Sequence, residues 1–262
     1  MDDSPFASAA IYYDRYRAPY ASGALDQVIA AFALGPGSRA LDLGCGPGTI
    51  AIPLSRVVAE VVAVDPDPHM LAEGQRLAAE MGRGNIRWIQ GRAEDVLPGL
   101  GHFHAVTLGQ SLHWMDRDLV LRRLADIVED GGGVAILDEG RRRAPESWAG
   151  VAADLVSSYL GPTGRHPSKH PEMDHEPSLR RSTHFYIFTV REFPSEITRD
   201  VVSILGCVYS SVRSTKPMFG DRAPAFEDEL SRILIRLNPS GVFHEALETA
   251  VYLAPKARVV AR

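Results

Sequence analysis

The chain has 262 residues, 45% of them hydrophobic, which is enough to bury a full core as one large domain. Its 28 basic and 33 acidic side chains give a net charge of −5, which argues against the basic surface that nucleic-acid binding requires. Two cysteines, an acidic N-terminal start and the lack of an apolar run of about 18 residues predict a cytoplasmic protein without disulfides or membrane contact.

The first half of the chain is predicted to alternate helices with strands. Apolar residues recur at helical spacing over 24–34, and a Gly-Pro-Gly stop follows. The predicted strands are 39–44, 60–65, 85–91, 103–109 and 131–139, and the predicted helices are 49–58, 68–82 and 117–130. Strands joined by helices pair in parallel, so we expect a doubly wound α/β sheet with helices on both faces.

The second half is less regular. Its predicted elements are a helix over 146–160, a polar loop over 161–182, a strand over 184–193, a helix from Ser195 as N-cap, a helix over 225–238 and a closing strand near 246–254. No repeat or low-complexity linker separates the two halves.

A glycine-rich turn follows the first predicted strand, where an open α/β sheet binds its ligand. Gly44, Gly46 and Gly48 are spaced G-x-G-x-G, with Thr49 next, which fits neither the dinucleotide fingerprint nor the P-loop. Asp42 precedes the turn, and a carboxylate there repels phosphate. The turn therefore favours a cationic ligand, and S-adenosylmethionine carries a sulfonium and an ammonium group.

Further polar residues follow the second and third strands. Asp65 ends the second strand, with Pro66 after it, and its carboxylate can accept both hydrogen bonds of a ribose diol. After the third strand, the backbone of Ala93 and the side chain of Glu94 are placed to contact the edge of an adenine. Met70, in the first turn of the next helix, is placed to cover a purine face.

This ordered set, with a fourth strand that runs into GQSLHWMD, resembles the class I methyltransferases that use S-adenosylmethionine. The resemblance covers residues 36–140. It implies S-adenosylhomocysteine as the product and a Rossmann-like, mostly parallel sheet of seven strands with one antiparallel member. The strands near 184–193 and 246–254 would complete that sheet.

The resemblance also implies a domain plan. The whole chain would be a single methyltransferase domain, with a cofactor-binding core at 36–140, an N-terminal lid at 1–35 and a substrate cap with the closing strands at 141–262. The backbone of Gly44 and Gly46, with the small turn residue Cys45 between them, would line the cofactor.

The N-terminal AAIYYDRYRAPYA, together with the His-Trp pair after the fourth strand, resembles the opening of a small-molecule (type 11-like) branch of these methyltransferases. The resemblance implies that Tyr12, Tyr16 and Arg17 fold over the cofactor. Ala18 stands before Pro19 where the branch has an arginine-proline pair. Gln110 would meet the methionine end of the cofactor through its backbone carbonyl.

The acceptor side offers fewer sequence signals. His113 follows the fourth strand and is either a general base near neutral pH or a structural residue. Trp114 either walls the substrate or packs internally. Tyr209 and Arg213, with the serines between them, are predicted substrate contacts in the half of the chain where this branch builds its acceptor site.

Two clusters allow more than one interpretation. His166, His170 and His175, with Asp174, have a spacing that metal sites of known type do not use, so a polar flap over the substrate is preferred and no metal is predicted. The basic run at 141–143 is either a solvated face or a contact for an anionic substrate group.

The sequence therefore predicts a methyltransferase that acts on an oxygen, nitrogen or carbon nucleophile of a small metabolite. The frequent Ala, Arg, Gly and Val fit a GC-rich bacterial genome, in which a specialised metabolite is a reasonable acceptor. Three alternatives stay open: another reaction steered by the sulfonium, a nonenzymatic binding protein, and a nicotinamide dehydrogenase. The protein is expected to be a monomer or a homodimer.

Overall fold

A computed structural model describes residues 8–141, 147–161 and 174–257. These residues form seven strands: β1 Arg39–Leu43, β2 Glu60–Asp65, β3 Ile86–Gln90, β4 Phe103–Gly109, β5 Val128–Arg141, β6 Thr189–Asp200 and β7 Val242–Pro255. They also form eleven α-helices: α1 Ala10–Tyr16, α2 Ala24–Ala31, α3 Ala51–Leu54, α4 Pro68–Glu80, α5 Ala93–Val96, α6 Arg117–Ile127, α7 Trp148–Leu160, α8 Glu176–Arg181, α9 Val201–Tyr209, α10 Lys216–Phe219 and α11 Ala223–Leu237.

The strands form one sheet in the order β3-β2-β1-β4-β5-β7-β6. In the parallel part, Leu41 of β1 is paired with Val62 of β2 on one side and with Val106 of β4 on the other. The strand order therefore reverses between β1 and β4, and this reversal is where open α/β sheets hold their ligands. The predicted doubly wound sheet of seven strands is confirmed.

The closing strand β7 runs against its neighbour β5. The backbone N–H of Lys256, just after β7, donates to the carbonyl of Gly132 near the beginning of β5, at 2.8 Å. The hydroxyl of Thr198, near the end of β6, lies 3.3 Å from Nδ1 of His244, near the start of β7. β7 is thus antiparallel to both neighbours, as predicted for one strand of the sheet.

The two faces of the sheet bury different side chains because successive residues of a strand point to opposite faces. Leu41 and Leu43 of β1 pack on the face covered by α6, whereas Ala40 packs on the other face with Val28 of α2. β1 and β2 are apolar on both faces, as central parallel strands are. Asp42 and Asp65 are therefore buried polar exceptions at the strand ends.

The chain divides into two compact units. The first, here the sheet unit, consists of the described residues within Tyr20–Glu139, Pro167–Phe193 and Glu248–Arg262. The remaining described residues, here the second unit, lie within Met1–Pro19, Gly140–His166 and Pro194–Leu247. Residues 20–35, predicted as part of a lid, thus group with the predicted cofactor-binding core.

Four predicted elements differ from the structure. The strand predicted over 184–193 begins only at Thr189 and runs to Asp200, because its alternating burial continues through Pro194. Ser195 lies inside β6, and the N-cap of α9 is Asp200, whose carboxylate accepts from the backbone N–H of Ser203 at 2.7 Å in a capping box. The predicted helix over 49–58 contracts to α3. The predicted polar loop contains α8, which starts just before Pro177 at a position that proline favours.

Candidate active site

The glycine turn after β1 has the conformation that its sequence requires. Gly44, Gly46 and Gly48 have φ angles of +66°, +53° and +88°, a region that side-chain-bearing residues rarely adopt. The backbone N–H groups of Gly44 and Cys45 donate to the carbonyl of Val64 in β2, at 2.8 and 3.0 Å. A Cβ placed on Gly46 would meet no heavy atom within 4 Å, so the turn has open space beside this residue.

A close approach joins the end of β1 to the segment after β4. A Cβ on Gly44 would lie 2.4 Å from Cβ of Ser111, so only glycine fits there. The hydroxyl of Ser111 donates to the carbonyl of Leu43 at 2.6 Å. The absence of a side chain on Gly44 therefore permits this close approach, and the hydrogen bond from Ser111 to Leu43 stabilises it.

Asp42 supports the turn from within the fold. It is 1% exposed, and its two oxygens accept from the hydroxyl of Thr107 at 2.8 Å and from the backbone N–H of Ala51 at 3.1 Å. Burial raises the pKa of Asp42 to about 7, against the lowering effect of these bonds, and the charge of Asp65 raises it further. A cationic ligand would offset this accumulation of negative charge.

Asp65 bridges the glycine turn and the segment before α4. One oxygen accepts from the backbone N–H of Gly46 and the other from that of Asp67, both at 2.9 Å. Burial raises the pKa of Asp65 to about 6, while the two backbone bonds lower it. Each carboxylate oxygen has two lone pairs, so the bonds still leave capacity for the hydroxyls of a ribose. Met70, predicted to cover a purine, is buried in the first turn of α4.

Pro66 links Asp65 to Asp67, which is the N-cap of α4. Oδ1 of Asp67 accepts from the backbone N–H groups of His69 and Met70 at 2.8 and 3.1 Å. This capping interaction fixes where α4 begins, and so fixes the position of the predicted purine contact.

Glu94 has a partner that the sequence did not suggest. Its Oε1 accepts from the backbone N–H of Asp116 at 3.0 Å, which joins α5 to the residue that caps α6. Arg92 lies 3.5 Å from the same oxygen. Ala93 is buried at the start of α5. The adenine contacts of Ala93 and Glu94 stay predictions.

The segment after β4 begins with a strained residue. Gln110 has a φ angle of +52°, which is uncommon for a residue with a side chain and occurs often at functional sites. Its backbone N–H donates to the carbonyl of Leu137 at 3.0 Å, and its Nε2 donates to that of Glu139 at 3.3 Å. His113 and Trp114 follow in a 3₁₀ turn, with ring centroids 5.1 Å apart. Their proposed roles toward the acceptor stay predictions.

In the second unit, the N-terminal helix α1 packs on α9. A Cβ on Gly206 would lie 2.2 Å from Cδ2 of Tyr16, so the ring of Tyr16 packs directly against the backbone of Gly206. The guanidinium of Arg17 donates through Nε to the hydroxyl of Ser210 at 3.0 Å. Tyr16 and Arg17 thus have contacts inside the second unit, and their predicted contacts with the cofactor stay predictions.

Tyr209 also has defined partners in the second unit. Its hydroxyl donates to Glu227 at 2.9 Å, and its ring lies edge-on to Tyr12 with the centroids 5.5 Å apart. Burial, followed by the bond to Glu227, raises the pKa of Tyr209. Lys216 pairs with the same carboxylate at 2.7 Å. Arg213 follows α9 in an exposed turn, and the substrate contacts predicted for it and for Tyr209 remain untested.

A histidine–carboxylate pair at the end of β5 was missed by sequence reasoning. Nε2 of His175 lies 2.8 Å from Oδ2 of Asp138, and the side chains are 0% and 13% exposed. The sequence analysis singled out His175 but grouped it with Asp174, and the signal for Asp138 was an aspartate near the end of a buried apolar strand. Of the predicted histidine cluster, His166 and His170 lie outside the described residues. Within the described ranges, no three His, Cys, Asp or Glu side chains are grouped to hold a metal.

The geometry of the glycine turn fits the cofactor predicted from the sequence. Asp42 and Asp65 bring two buried carboxylates to one turn, which disfavours a phosphate and favours a cation. The open space beside Gly46 adjoins Asp65, because these two residues are joined by a hydrogen bond. None of the helices in the described part of the chain is both long and apolar enough to span a bilayer.

Comparisons with known proteins point to the same chemistry. Residues 40–132 match the methyltransferase domain family. The chain is 34% identical over 131 residues to the ubiquinone biosynthesis O-methyltransferase of Azorhizobium caulinodans, a match that covers 50% of this chain and 51% of the relative. It is 36% identical over 115 residues to the 2-phytyl-1,4-naphtoquinone methyltransferase of Synechococcus elongatus, covering 42% and 49%. The chain thus spans about half the length of these curated relatives.

A solved structure agrees in fold. The methyltransferase from Thiobacillus denitrificans, in complex with S-adenosyl-L-homocysteine, superposes with a TM-score of 0.55 at 18% sequence identity, covering 98% of this chain and 100% of that one. The strand order, the glycine turn and the matched sequence family are consistent with one another. Residues 40–132 are similar to the methyltransferase domain family, and the described residues share the fold of the superposed methyltransferase.

Proposed function

We propose that the protein transfers a methyl group from S-adenosylmethionine to a hydroxyl oxygen of a small-molecule metabolite. The observation that carries the proposal is the glycine turn, in which Asp65 bonds Gly46 beside open space while Asp42 lies buried beneath. The curated relative from Azorhizobium caulinodans, named an O-methyltransferase of ubiquinone biosynthesis, supports oxygen as the accepting atom.

In this proposal, the residues around the glycine turn hold the cofactor. Asp65 accepts from the ribose hydroxyls, the backbone of Gly44 to Gly46 borders the methionine part, and the negative charge of Asp42 favours the cationic form. When bound, S-adenosylmethionine supplies an electrophilic methyl carbon on a positively charged sulfur. The protein aligns the acceptor with that carbon and excludes water from it.

The proposed cellular location and the proposed partner follow from the cysteines and the net charge. Both cysteines are free and buried, and the net charge is −5, which supports a reducing compartment, the cytoplasm, and a small-molecule partner. The proposed oligomeric state is a monomer or a homodimer.

Calorimetric titration of the purified protein tests the proposal. We expect S-adenosylmethionine and S-adenosylhomocysteine to bind with micromolar dissociation constants, and NADH not to bind. Asp65→Ala should weaken both sulfur ligands at least tenfold because it removes the acceptor for the ribose. The matched control is Asp126→Asn, on the exposed side of α6, which should bind as the wild type does.

Two results would contradict the proposal. Binding of NADH in place of the sulfur ligands would favour a dehydrogenase. Conversion of an acceptor without formation of S-adenosylhomocysteine would show that the cofactor serves a reaction other than methyl transfer.

A further inference from the structure

Tyr20 is the first residue of the sheet unit, and its side chain lies against the carboxyl end of β4. A Cβ placed on Gly109 would lie 2.4 Å from the hydroxyl oxygen of Tyr20 and 2.6 Å from Cδ1 of Ile50, so the hydroxyl packs directly against the backbone of that glycine. The next residue, Ala21, donates its backbone N–H to the hydroxyl of Thr249 on β7 at 2.9 Å. Contacts inside the sheet unit therefore determine where the hydroxyl of Tyr20 lies.

Gly109 lies at the same level of the sheet as the glycine turn. Asp42 of β1 is paired in parallel with Thr107 of β4, so Gly109, two residues further along β4, is level with Gly44. Adjacent strands of a sheet lie about 4.8 Å apart. The hydroxyl of Tyr20 thus lies at the crevice between β1 and β4, where the strand order reverses.

The surroundings of this hydroxyl are open to solvent in part. Tyr20, Gly109 and Gln110 are each half-buried, whereas residues 105–108 of β4 are buried. Gln110, with its φ angle of +52°, carries the backbone carbonyl that is predicted to contact the methionine end of the cofactor. The hydroxyl of Tyr20 therefore lies beside a predicted cofactor contact, at a point that a ligand in the crevice can approach.

The backbone donors along this crevice already have acceptors inside the fold. They are the N–H groups of Gly44, Cys45, Gly46, Gly48 and Gln110. Pro47, within the turn, has no N–H group. The hydroxyl of Ser111 donates to the carbonyl of Leu43. An anionic group that enters the crevice here therefore needs a hydrogen-bond donor from another side chain.

The methionine end of S-adenosylmethionine carries an ammonium group and a carboxylate. The buried carboxylates of Asp42 and Asp65 attract the ammonium group and repel the carboxylate, so the carboxylate is favoured on the side of the crevice away from β2. Tyr20 lies on that side, because β4 and β2 flank β1 on opposite sides. A phenolic hydroxyl is neutral, and its hydrogen rotates toward the acceptor that is present. The position and the chemistry of Tyr20 therefore suit a carboxylate.

We propose that the hydroxyl of Tyr20 donates a hydrogen bond to the carboxylate of the bound cofactor, and that Tyr20 thereby selects ligands with an intact methionine end. This inference rests on the proposed function. The resemblance of the N-terminal segment points instead to Tyr12, Tyr16 and Arg17, all of which belong to the second unit. Tyr20 differs from them because it belongs to the unit that carries the glycine turn.

The experiment compares S-adenosylhomocysteine with its decarboxylated analogue, S-adenosyl-3-thiopropylamine, which keeps the adenosine, the sulfur and the ammonium group. Both ligands are titrated calorimetrically into the purified full chain at one pH and one salt concentration. We expect the wild type to bind S-adenosylhomocysteine at least tenfold more tightly than the analogue, because a hydrogen bond to a charged group is stronger than one between neutral groups. Tyr20→Phe should reduce this preference below threefold and leave the affinity for the analogue within twofold of the wild type.

Further variants separate the hydroxyl from the ring and from the fold. Tyr20→Phe keeps the aromatic ring and should unfold at the same temperature as the wild type. Tyr20→Leu removes the ring as well, and it should lose the preference for the carboxylate to the same extent as Tyr20→Phe. The matched control is Tyr186→Phe, which removes a hydroxyl from an exposed tyrosine of the same unit and should keep the preference of the wild type.

The outcomes distinguish this inference from the proposed function. If Tyr20→Phe keeps the tenfold preference, or if the wild type binds S-adenosylhomocysteine without a preference over the analogue, the inference is overturned while the proposed function stands. If Tyr20→Phe weakens both ligands alike, Tyr20 supports the shape of the crevice and does not bind the carboxylate, so the inference is also overturned. If the wild type binds neither S-adenosylmethionine nor S-adenosylhomocysteine, the proposed function itself fails.

Discussion

The carboxylates along the carboxyl edge of the sheet are of two kinds. Asp42 and Asp65, on β1 and β2, accept hydrogen bonds on both oxygens from groups of the glycine turn and its neighbours. Asp138, on β5, contacts one imidazole and keeps its other oxygen without a partner in the described part of the chain. The hydrogen bonds of the first kind fix the shape of the glycine turn, whereas the second kind has one oxygen that no bond within the described ranges holds in place. Two strands of one edge thus carry fully bonded carboxylates, and a third carries an incompletely bonded one.

The largest effect is expected where the backbone itself forms the site. Gly44→Ala would place a methyl group 2.4 Å from Cβ of Ser111 at a φ angle of +66°, so the end of β1 must separate from the segment after β4. We expect a loss of about 3 kcal/mol in the free energy of unfolding, together with loss of cofactor binding. Urea unfolding and calorimetry would measure both.

Two other glycines calibrate that prediction. Gly46→Ala has the same backbone penalty but meets no atom within 4 Å, so it should cost only about 1 kcal/mol. Gly37→Ala has neither a positive φ nor a neighbour, and it should be nearly neutral. Equal costs for Gly44→Ala and Gly46→Ala would show that the contact with Ser111 does not constrain the turn.

The sequence was sufficient to predict this first region. Residues 39–43 are typical of a short buried strand, and glycine recurs at 44, 46 and 48, where the turn needs positive φ angles. Asp65 ends the next strand, as predicted. The sequence could not show that Asp42 accepts hydrogen bonds from Thr107 and Ala51, because the first depends on the register of β1 against β4 and the second on where α3 begins.

The second region was beyond the reach of sequence patterns. Asp138 and His175 are 37 positions apart and meet because the N-cap residue of α8 contacts β5. The sequence analysis predicted a loop there, since the stretch that contains α8 is polar and rich in proline. Ser195 was wrongly predicted as an N-cap for a similar reason. The alternating burial of β6 extends through it to Asp200, which lies five residues further on. Local propensity cannot report contacts that the tertiary fold creates.

The two kinds of carboxylate should respond differently to removal of a charge. Asp138→Leu leaves His175 buried without its partner and should cost about 3 kcal/mol in the free energy of unfolding, whereas the apolar double variant Asp138→Leu with His175→Phe should cost less than Asp138→Leu alone. Chemical unfolding of the wild type, Asp138→Leu, His175→Phe and the double variant gives the coupling energy between the two side chains. A coupling energy near zero would mean that the contact between the imidazole and the carboxylate does not stabilise the fold.

The pH dependence of stability distinguishes Asp42 from an exposed acid. The folded pKa of Asp42, about 7, lies above its value of 3.8 in the unfolded chain, so the folded state holds this proton more tightly. The stability that this proton contributes is complete below about pH 4 and is lost as the pH rises to 7. Relative to Asp42→Asn, the wild type should therefore become less stable across this window, as urea unfolding at several pH values would measure.

Asp200 gives the opposite sign and serves as the control. Its bonds to Ser203 lower its pKa, so its contribution is present at neutral pH and is lost as the pH falls toward acid. Asp200 is exposed, and the effect of Asp200→Asn should be correspondingly small. If Asp42→Asn gave the same sign as Asp200→Asn, burial would not be the dominant influence on Asp42.

The smallest expected effect concerns the hydrogen bond between the segment after β4 and the end of β1. Ser111→Ala removes the donor to the carbonyl of Leu43, which should cost about 1 kcal/mol in unfolding free energy, because a single neutral hydrogen bond contributes about that much. Ser157→Ala, which removes an exposed bond within α7, should change stability less. Ser111 lies beside Gly44 and one residue after Gln110, so a looser contact also lets the glycine turn move relative to β4 and β5. A reduced affinity for S-adenosylhomocysteine in Ser111→Ala, with unchanged affinity in Ser157→Ala, would show that cofactor binding depends on the contact between the end of β1 and the segment after β4.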